Sequence, residues 1–189
     1  MSDTICDQIF DQRDFSQSGL PEGEYENCTF NNCLFSNVNL SHRVFMECEF
    51  HDSDFFGAKL GDTAFKDVQF KGCKLIGVDF SSCNTFLLEM KFENCLLNLA
   101  SFYQLPMKST VFSRCSLEEV DFVETDLTDA IFEECNLMHA NFEQTNLTKA
   151  DFRTAINYSI NPLKNKIGKA RFSREGLMGL LDSFDIRID

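Results

Sequence analysis

From Thr110 to Phe152 the chain places a large apolar residue at every fifth position: Phe112, Leu117, Phe122, Leu127, Phe132, Leu137, Phe142, Leu147 and Phe152. Two residues before each stands a small or narrow one: Thr110, Cys115, Val120, Thr125, Ala130, Cys135, Ala140, Thr145 and Ala150. The other three positions of each five are almost all polar. A period of five is neither the 3.6 of a helix nor the 2 of a flat strand. It is a tandem repeat whose unit is too short to bury its own apolar side, so successive turns must cover one another as in a solenoid. Phe and Leu alternate strictly, which sets the true recurrence at ten residues or more. Each coil can hold four such sides. Phe112, Phe132 and Phe152 then stack in one column and Leu117 and Leu137 in the next, with coils about 4.8 Å apart.

The same register runs upstream from Tyr25 through Phe30, Phe35, Leu40, Phe45, Phe50, Phe55, Leu60, Phe65, Phe70, Leu75 and Phe80. There it slips. Thr85 is a poor central residue, and Phe92 comes twelve residues after Phe80 instead of ten. Two extra residues therefore leave the coil near 85–91 as a surface bulge. The bulge carries Phe86, Leu87, Leu88, Glu89 and Met90: either part of it tucks back over a coil, or it is a contact site for a partner. A second irregularity lies at Tyr103–Met107, where Met107 replaces Leu and Pro106 has no N–H to donate. Residues 1–24 keep the spacing at Phe10, Phe15 and Leu20, but Gln8 and Arg13 fill the narrow slots and Pro21-Glu22-Gly23 marks a turn. They read as an imperfect first coil or cap.

The repeat domain spans 1–156 on this reading, and 157–189 forms a separate C-terminal segment. After a polar connection from Asn157 to Ile167, Ser173 suits the N-cap of a short helix. Leu177, Met178, Leu180, Leu181 and Phe184 share one face of that helix. Residues 185–189 alternate as a half-buried edge strand does, with Ile186 and Ile188 on one side. Such elements at an open coil end either fold back as a cap or pair with a second copy, since an open end is a sheet edge that must be covered. The pairing is favoured, with Leu177, Met178, Leu180, Leu181, Phe184, Ile186 and Ile188 as the interface.

Units such as Ala-Asn-Phe-Glu-Gln (140–144), Thr-Asn-Leu-Thr-Lys (145–149) and Ala-Asp-Phe-Arg-Thr (150–154) resemble those of the pentapeptide repeat family, in register over about four fifths of the chain. The resemblance implies an all-β fold, a right-handed quadrilateral β-helix, here followed by the short C-terminal helix and strand. Within the family, the tail segments Asn157-Tyr158-Ser159-Ile160, Ala170-Arg171-Phe172-Ser173 and Leu180–Ile186 look closest to the albicidin-resistance type. That type and the Qnr-type quinolone-resistance proteins act on type II topoisomerases, and related proteins with a similar tail dimerise there. Several Qnr members carry long loops that contribute to gyrase protection, whereas this chain has only the two-residue slip.

Composition changes the picture at three points. The nine cysteines suggest a disulfide framework by number, yet Cys28, Cys33, Cys48, Cys73, Cys83, Cys95, Cys115 and Cys135 all occupy the narrow slot. They read as small buried hydrophobes, with Cys95, Cys115 and Cys135 stacked, rather than as metal or redox groups. His42, His51 and His139 fall in outward slots outside any motif, no phosphate-binding Gly loop is present, and a convex rod lacks a pocket. No enzyme activity and no cofactor are expected. The acidic N-terminus resembles no signal peptide and no stretch suits a membrane span, so the expectation is a cytoplasmic protein.

The third point is charge. The net value of −13 is unevenly spread: residues 115–145 hold Glu118, Glu119, Asp121, Glu124, Asp126, Asp129, Glu133, Glu134 and Glu143 with no Lys or Arg. Residues 153–174 hold six bases and no acid, and 63–111 are nearly neutral. These acids sit in outward slots, so they decorate a rod. Surface charge alone keeps such a rod soluble, and a structural or interaction scaffold is the alternative reading. A stiff acidic rod also resembles duplex DNA, which carries one charge per about 1.7 Å. With the resemblance, this implies a DNA-mimicking protein that binds DNA gyrase or topoisomerase IV and protects it from quinolones or related poisons. The acids from Glu118 to Glu134 would meet the DNA-binding saddle and the bulge, Phe86, Leu87, Leu88 and Glu89, would add contacts. Nucleic acid itself would be repelled.

Overall fold

The computed structural model describes residues 4–184, 186 and 187. The chain winds into a β-solenoid of parallel rungs with four faces. Residues twenty apart are neighbours: Phe10 pairs with Phe30, Phe30 with Phe50, and Phe112 with Phe132. The first face centres on Ile5, Tyr25, Phe45 and Phe65, with strands Thr4–Cys6, Glu24–Glu26, Val44–Met46 and Ala64–Lys66. The second carries a nine-stranded sheet from Ile9–Asp11 to Arg171–Phe172. The third and fourth faces, centred on Phe35 and Leu40 and their successors, are held by single bridges such as Leu34 with Asp54 and Asp121 with Asn141.

The period of five builds this because each face needs one flat inward residue and one corner. Central Phe side chains fill the axis and are buried. Along the second face the rings stack in parallel at 4.7 Å for Phe30 on Phe50 and 5.1 Å for Phe112 on Phe132. Rings on adjacent columns meet edge to face, as Phe112 meets Phe122 at 5.9 Å. Burying each such side chain contributes roughly 1.5–3 kcal/mol. The corner falls two residues after a centre, in left-handed backbone: φ is +56° at Glu119 and Glu124, +58° at Asp129 and +51° at Glu134. That conformation is costly for residues with a Cβ. The corner N–H offsets the cost by bonding to the next coil, as Glu119 does to the Met138 carbonyl at 2.9 Å.

Two polar devices complete the repeat. In the narrow slot a hydroxyl or thiol donates to a carbonyl of the coil below: Thr125 Oγ1 to Phe102 at 2.8 Å, Cys48 Sγ to Tyr25 at 3.4 Å, Cys135 Sγ to Phe112 at 3.4 Å. Just before the centre, Asp or Asn folds its side chain onto the backbone two residues on. Asp121 accepts from the Val123 N–H at 3.0 Å and Asp126 from that of Thr128 at 3.1 Å.

The register slip lies where the spacing predicts it. Phe70 pairs with Phe92 across twenty-two residues. Thr85 is exposed, and Leu88 instead packs against the core. Met90 is buried in the narrow slot beside Val68 and does not join the bulge. Pro106 stands on the coil directly after the insertion, where its bridge is to Asp126 on the far side. The missing N–H is tolerated because the ladder below is already broken.

Both ends differ in detail from the spacing. Residues 4–24 form a full first coil: Phe10 stacks on Phe30 at 4.7 Å and Phe15 on Phe35 at 5.0 Å. A short helix, Phe15–Ser18, capped by Asp14, interrupts it. Arg43 fills a narrow slot, buried, and donates to the carbonyls of Leu20 at 2.6 Å, Pro21 at 3.3 Å and Ser41 at 3.1 Å. At the other end the ladder passes the expected limit of 156: Phe172 stacks on Phe152 at 5.4 Å and Arg171 pairs with Asp151. Polarity between Asn157 and Lys166 concealed this coil, because exposed Asn157 stands where a centre belongs and Tyr158 enters the core beside it. The expected helix is instead two 3-10 segments, Glu175–Leu180 and Asp182–Phe184. The N-cap position is Arg174 rather than the expected Ser173, although Ser173 Oγ, one residue earlier, accepts from the Gly176 N–H at 3.0 Å. Of the expected strand, Ile186 and Arg187 have no regular structure; Asp185, Ile188 and Asp189 lie outside the described residues.

Candidate protein-binding surfaces

The acids from Glu118 to Glu134 occupy a single coil, and their slots sort them. Asp121 and Asp126 are turned onto their own backbone. Glu118 accepts from Asn136 Nδ2 at 2.7 Å and Glu133 from Ser113 Oγ at 2.7 Å. Glu119, Glu124, Asp129 and Glu134 stand one at each corner of that coil and are exposed. Lysines reach three of the nine acids: Lys108 to Asp126 at 3.4 Å, Lys149 to Asp129 at 3.5 Å, and Lys164 to Glu143. The acids thus ring the rod on all four sides and do not form one patch. Exposed pairs of this kind contribute roughly 0–1 kcal/mol each, so they neutralise charge more than they stabilise.

The bulge brings Phe86 and Leu87 to the surface, with Glu89 exposed and Leu88 half-buried. Lys66 Nζ lies 5.7 Å from the centre of the Phe86 ring. The structure places the bulge on the first face, the side that also carries Asp126 and Asp129; Glu118, Glu119, Glu133 and Glu134 point elsewhere.

The tail packs on its own last coil. Ile160 N–H bonds to the Gly179 carbonyl at 2.8 Å. A Cβ built on Gly179 would run into the Tyr158 carbonyl, and one on Gly176 into its hydroxyl. Bare glycines therefore let the 3-10 turn lie flat on Tyr158, whose buried Oη has no hydrogen-bond partner among the described residues. Leu180 packs inward and Leu181 is half-buried, while Leu177, Met178, Phe184 and Ile186 are exposed. Ile188 lies outside the described residues.

The remaining candidates are structural. Cys28, Cys33, Cys48, Cys73, Cys83, Cys95, Cys115 and Cys135 are buried and free; Cys6 is exposed. Burial pushes the Cys48 thiol up to about 12. His51 Nε2 pairs with half-buried Glu49 Oε2 at 2.8 Å and His42 Nδ1 with exposed Asp62 Oδ2 at 3.3 Å. Among the described residues no group of three His, Cys, Asp or Glu side chains could hold a metal, and no helix is long and apolar enough to cross a membrane. Sequence reasoning missed Arg43, Tyr158 and the apolar outward slots; a slot-by-slot reading of the two positions after each centre would have revealed the last.

A parallel solenoid of four five-residue sides, with small inward slots and left-handed corners, defines a pentapeptide-repeat β-helix. The family model described as "Pentapeptide repeat region" matches residues 23–102, 45–122 and 87–160, and the chain belongs to that family. No curated protein sequence matches it. Among solved structures, a trypsin-treated single-residue variant of QnrB1 is 17% identical, covering 97% of this chain and 99% of that one, with a TM-score of 0.50. Full-length QnrB1, a plasmid-mediated fluoroquinolone resistance protein, is 17% identical with coverage of 97% and 100% and a TM-score of 0.48. HetL, from the cyanobacterium Nostoc and involved in heterocyst differentiation regulation, is 14% identical with coverage of 90% and 86% and a TM-score of 0.35. Likeness at these identities is one of fold.

Proposed function

We propose that this chain is a non-catalytic, DNA-mimicking binding protein that occupies the DNA-binding groove of DNA gyrase or topoisomerase IV and shields the enzyme from quinolones or related poisons. The observation that carries this reading is the acid at every corner of one coil, Glu119, Glu124, Asp129 and Glu134, on a rod with rungs about 4.8 Å apart. Charge on all sides of a stiff cylinder is the feature a duplex presents to a basic groove. The eight steps from Phe10 to Phe172 give about 38 Å of rod. The exposed Leu177, Met178, Phe184 and Ile186 support a tail-to-tail homodimer of about twice that length. QnrB1, of like fold, makes a fluoroquinolone the first poison to test.

The test is gyrase supercoiling in the presence of a fluoroquinolone. The native chain is expected to restore supercoiling in a salt-sensitive manner. Reversing Glu119, Glu124, Asp129 and Glu134 to Lys should abolish the rescue while moving Tm by no more than about 4 °C. Rescue by the reversed chain would overturn the electrostatic reading. Absence of any effect of the native chain on gyrase or topoisomerase IV would leave the scaffold reading.

A further inference from the structure

Exposed large apolar side chains concentrate on the third face. Of the eleven exposed large apolar side chains between residues 4 and 156, six stand on this face: Leu34, Phe56, Leu96, Leu99, Met138 and Ile156. Half-buried Ile76 fills the rung after Phe56. Leu34, Leu96 and Ile156 stand on one ladder of bridges, Leu34–Asp54–Lys74–Leu96–Ser116–Asn136–Ile156, whose other positions are polar; Phe56, Ile76, Leu99 and Met138 lie across the same face, after the centres. Six steps at about 4.8 Å give roughly 29 Å.

Three details separate this stripe from scattered surface hydrophobes. Leu99 is 57% exposed and holds a left-handed corner at φ +62°, a position filled elsewhere by polar residues or Gly, apart from Leu87 in the bulge. A γ-branched side chain gains nothing there from packing in the monomer. Beside Phe56 and Ile76 the corners are Gly57 and Gly77; the Asn37 side chain lies over the first, and the space beside the second is open. The stripe is also interrupted once, by Glu118 and Glu119. Among the described residues Glu118 is met by the Asn136 amide alone, and no hydrogen bond or ion pair holds the Glu119 side chain. Lower on the face Asp54 and Lys74 are neighbours of opposite sign, so the uncompensated charge is at Glu118 and Glu119.

We infer that the third face is a docking surface for one amphipathic, basic α-helix of a partner protein. A helix of about 20 residues spans 30 Å at a pitch of 5.4 Å, close to the rung spacing, so its apolar stripe can follow the ladder. Its Lys or Arg residues, about two-thirds of the way along, meet Glu118 and Glu119 on the rung of Ser116. This surface shares Glu119 with the ring of corner acids but not Glu124, Asp129 or Glu134, and its apolar side chains play no part in the topoisomerase reading.

The probe is a synthetic 20-residue peptide with Leu at positions i, i+3, i+4 and i+7 and Lys elsewhere, read by fluorescence anisotropy and by circular dichroism. Its controls are a scrambled peptide of the same composition and a Glu-for-Lys version. The amphipathic basic peptide should bind and become helical, and the scrambled one should bind at least tenfold more weakly. Phe56→Ser with Leu96→Ser, both exposed and so neutral to folding, should weaken binding at least tenfold. Glu118→Gln with Glu119→Gln should weaken it and flatten its salt dependence. Equal binding of the scrambled peptide, or unchanged affinity in the Ser variant, overturns the proposal by showing that net charge alone attracts the peptide. No binding of the amphipathic peptide overturns it too. A drop in sedimenting mass on the Ser substitutions assigns the face to a second copy of this chain and overturns it equally.

Discussion

At the scale of single residues the fold rests on two kinds of position, a stacked centre and a left-handed corner. Phe112 is buried between Phe92 and Phe132, each 5.1 Å away. Phe112→Ala should cost about 3–5 kcal/mol in denaturant unfolding, because neighbours fixed by their own rungs cannot collapse into the space. Leu99→Gly should do the reverse and raise stability by up to about 1 kcal/mol, since it removes corner strain and leaves little packing behind. Titration at the first coils has a definite sign. Burial pushes Tyr25 up to about 12 from 10.0 and Cys48 up to about 12 from 9.0. Both are neutral when protonated and both folded values are raised. Their stability is therefore intact below pH 9.0 and is lost as pH climbs towards 12. Tm should be flat from pH 7 to 9 and fall beyond; Tyr25→Phe with Cys48→Ala should extend the plateau.

At the scale of elements, what could be read from the sequence followed the physics of the inward slots. Every face centre from Tyr25 to Phe80 and from Phe92 to Phe152 was legible, because only a side chain at the axis must be apolar at a fixed step. The insertion was legible too, since a two-residue shift displaces all later centres. The final coil was not, because Tyr158 enters beside its slot and the polar connection hides Ile167 and Phe172. The 3-10 character of the tail was equally hidden. Apolar spacing alone cannot separate it from an α-helix, and Gly176 and Gly179 fit Tyr158 only in three dimensions. The corner ring of acids was visible as composition but not as geometry. Element-scale predictions follow from the two local clamps. Arg43→Met strips the bonds to the Leu20, Pro21 and Ser41 carbonyls and should speed amide exchange in residues 4–24 well before the later coils. Gly179→Ala should release the tail, seen as rapid proteolysis after Ser173 with the main unfolding transition nearly unmoved.

At the scale of the whole molecule the charge and apolar surfaces divide the labour of recognition. Corner acids surround one coil, an apolar stripe follows the third face, and the tail offers a third surface at one end. The tail-to-tail pairing predicts a dimer by sedimentation, converted to monomer by Leu177→Glu with Met178→Glu; a native monomer at micromolar concentration would argue against it. The insertion has a mechanical consequence as well. Among the described residues the first face has no bridge between Asn84 and Pro106, whereas the other three are tied across the same level by Phe92–Phe112, Leu96–Ser116 and Ser101–Asp121. A filled rod laddered on three faces and unladdered on the fourth bends most easily across the fourth. A curved groove would then be matched by bending at that level, with the Phe86 side of the rod opening or closing.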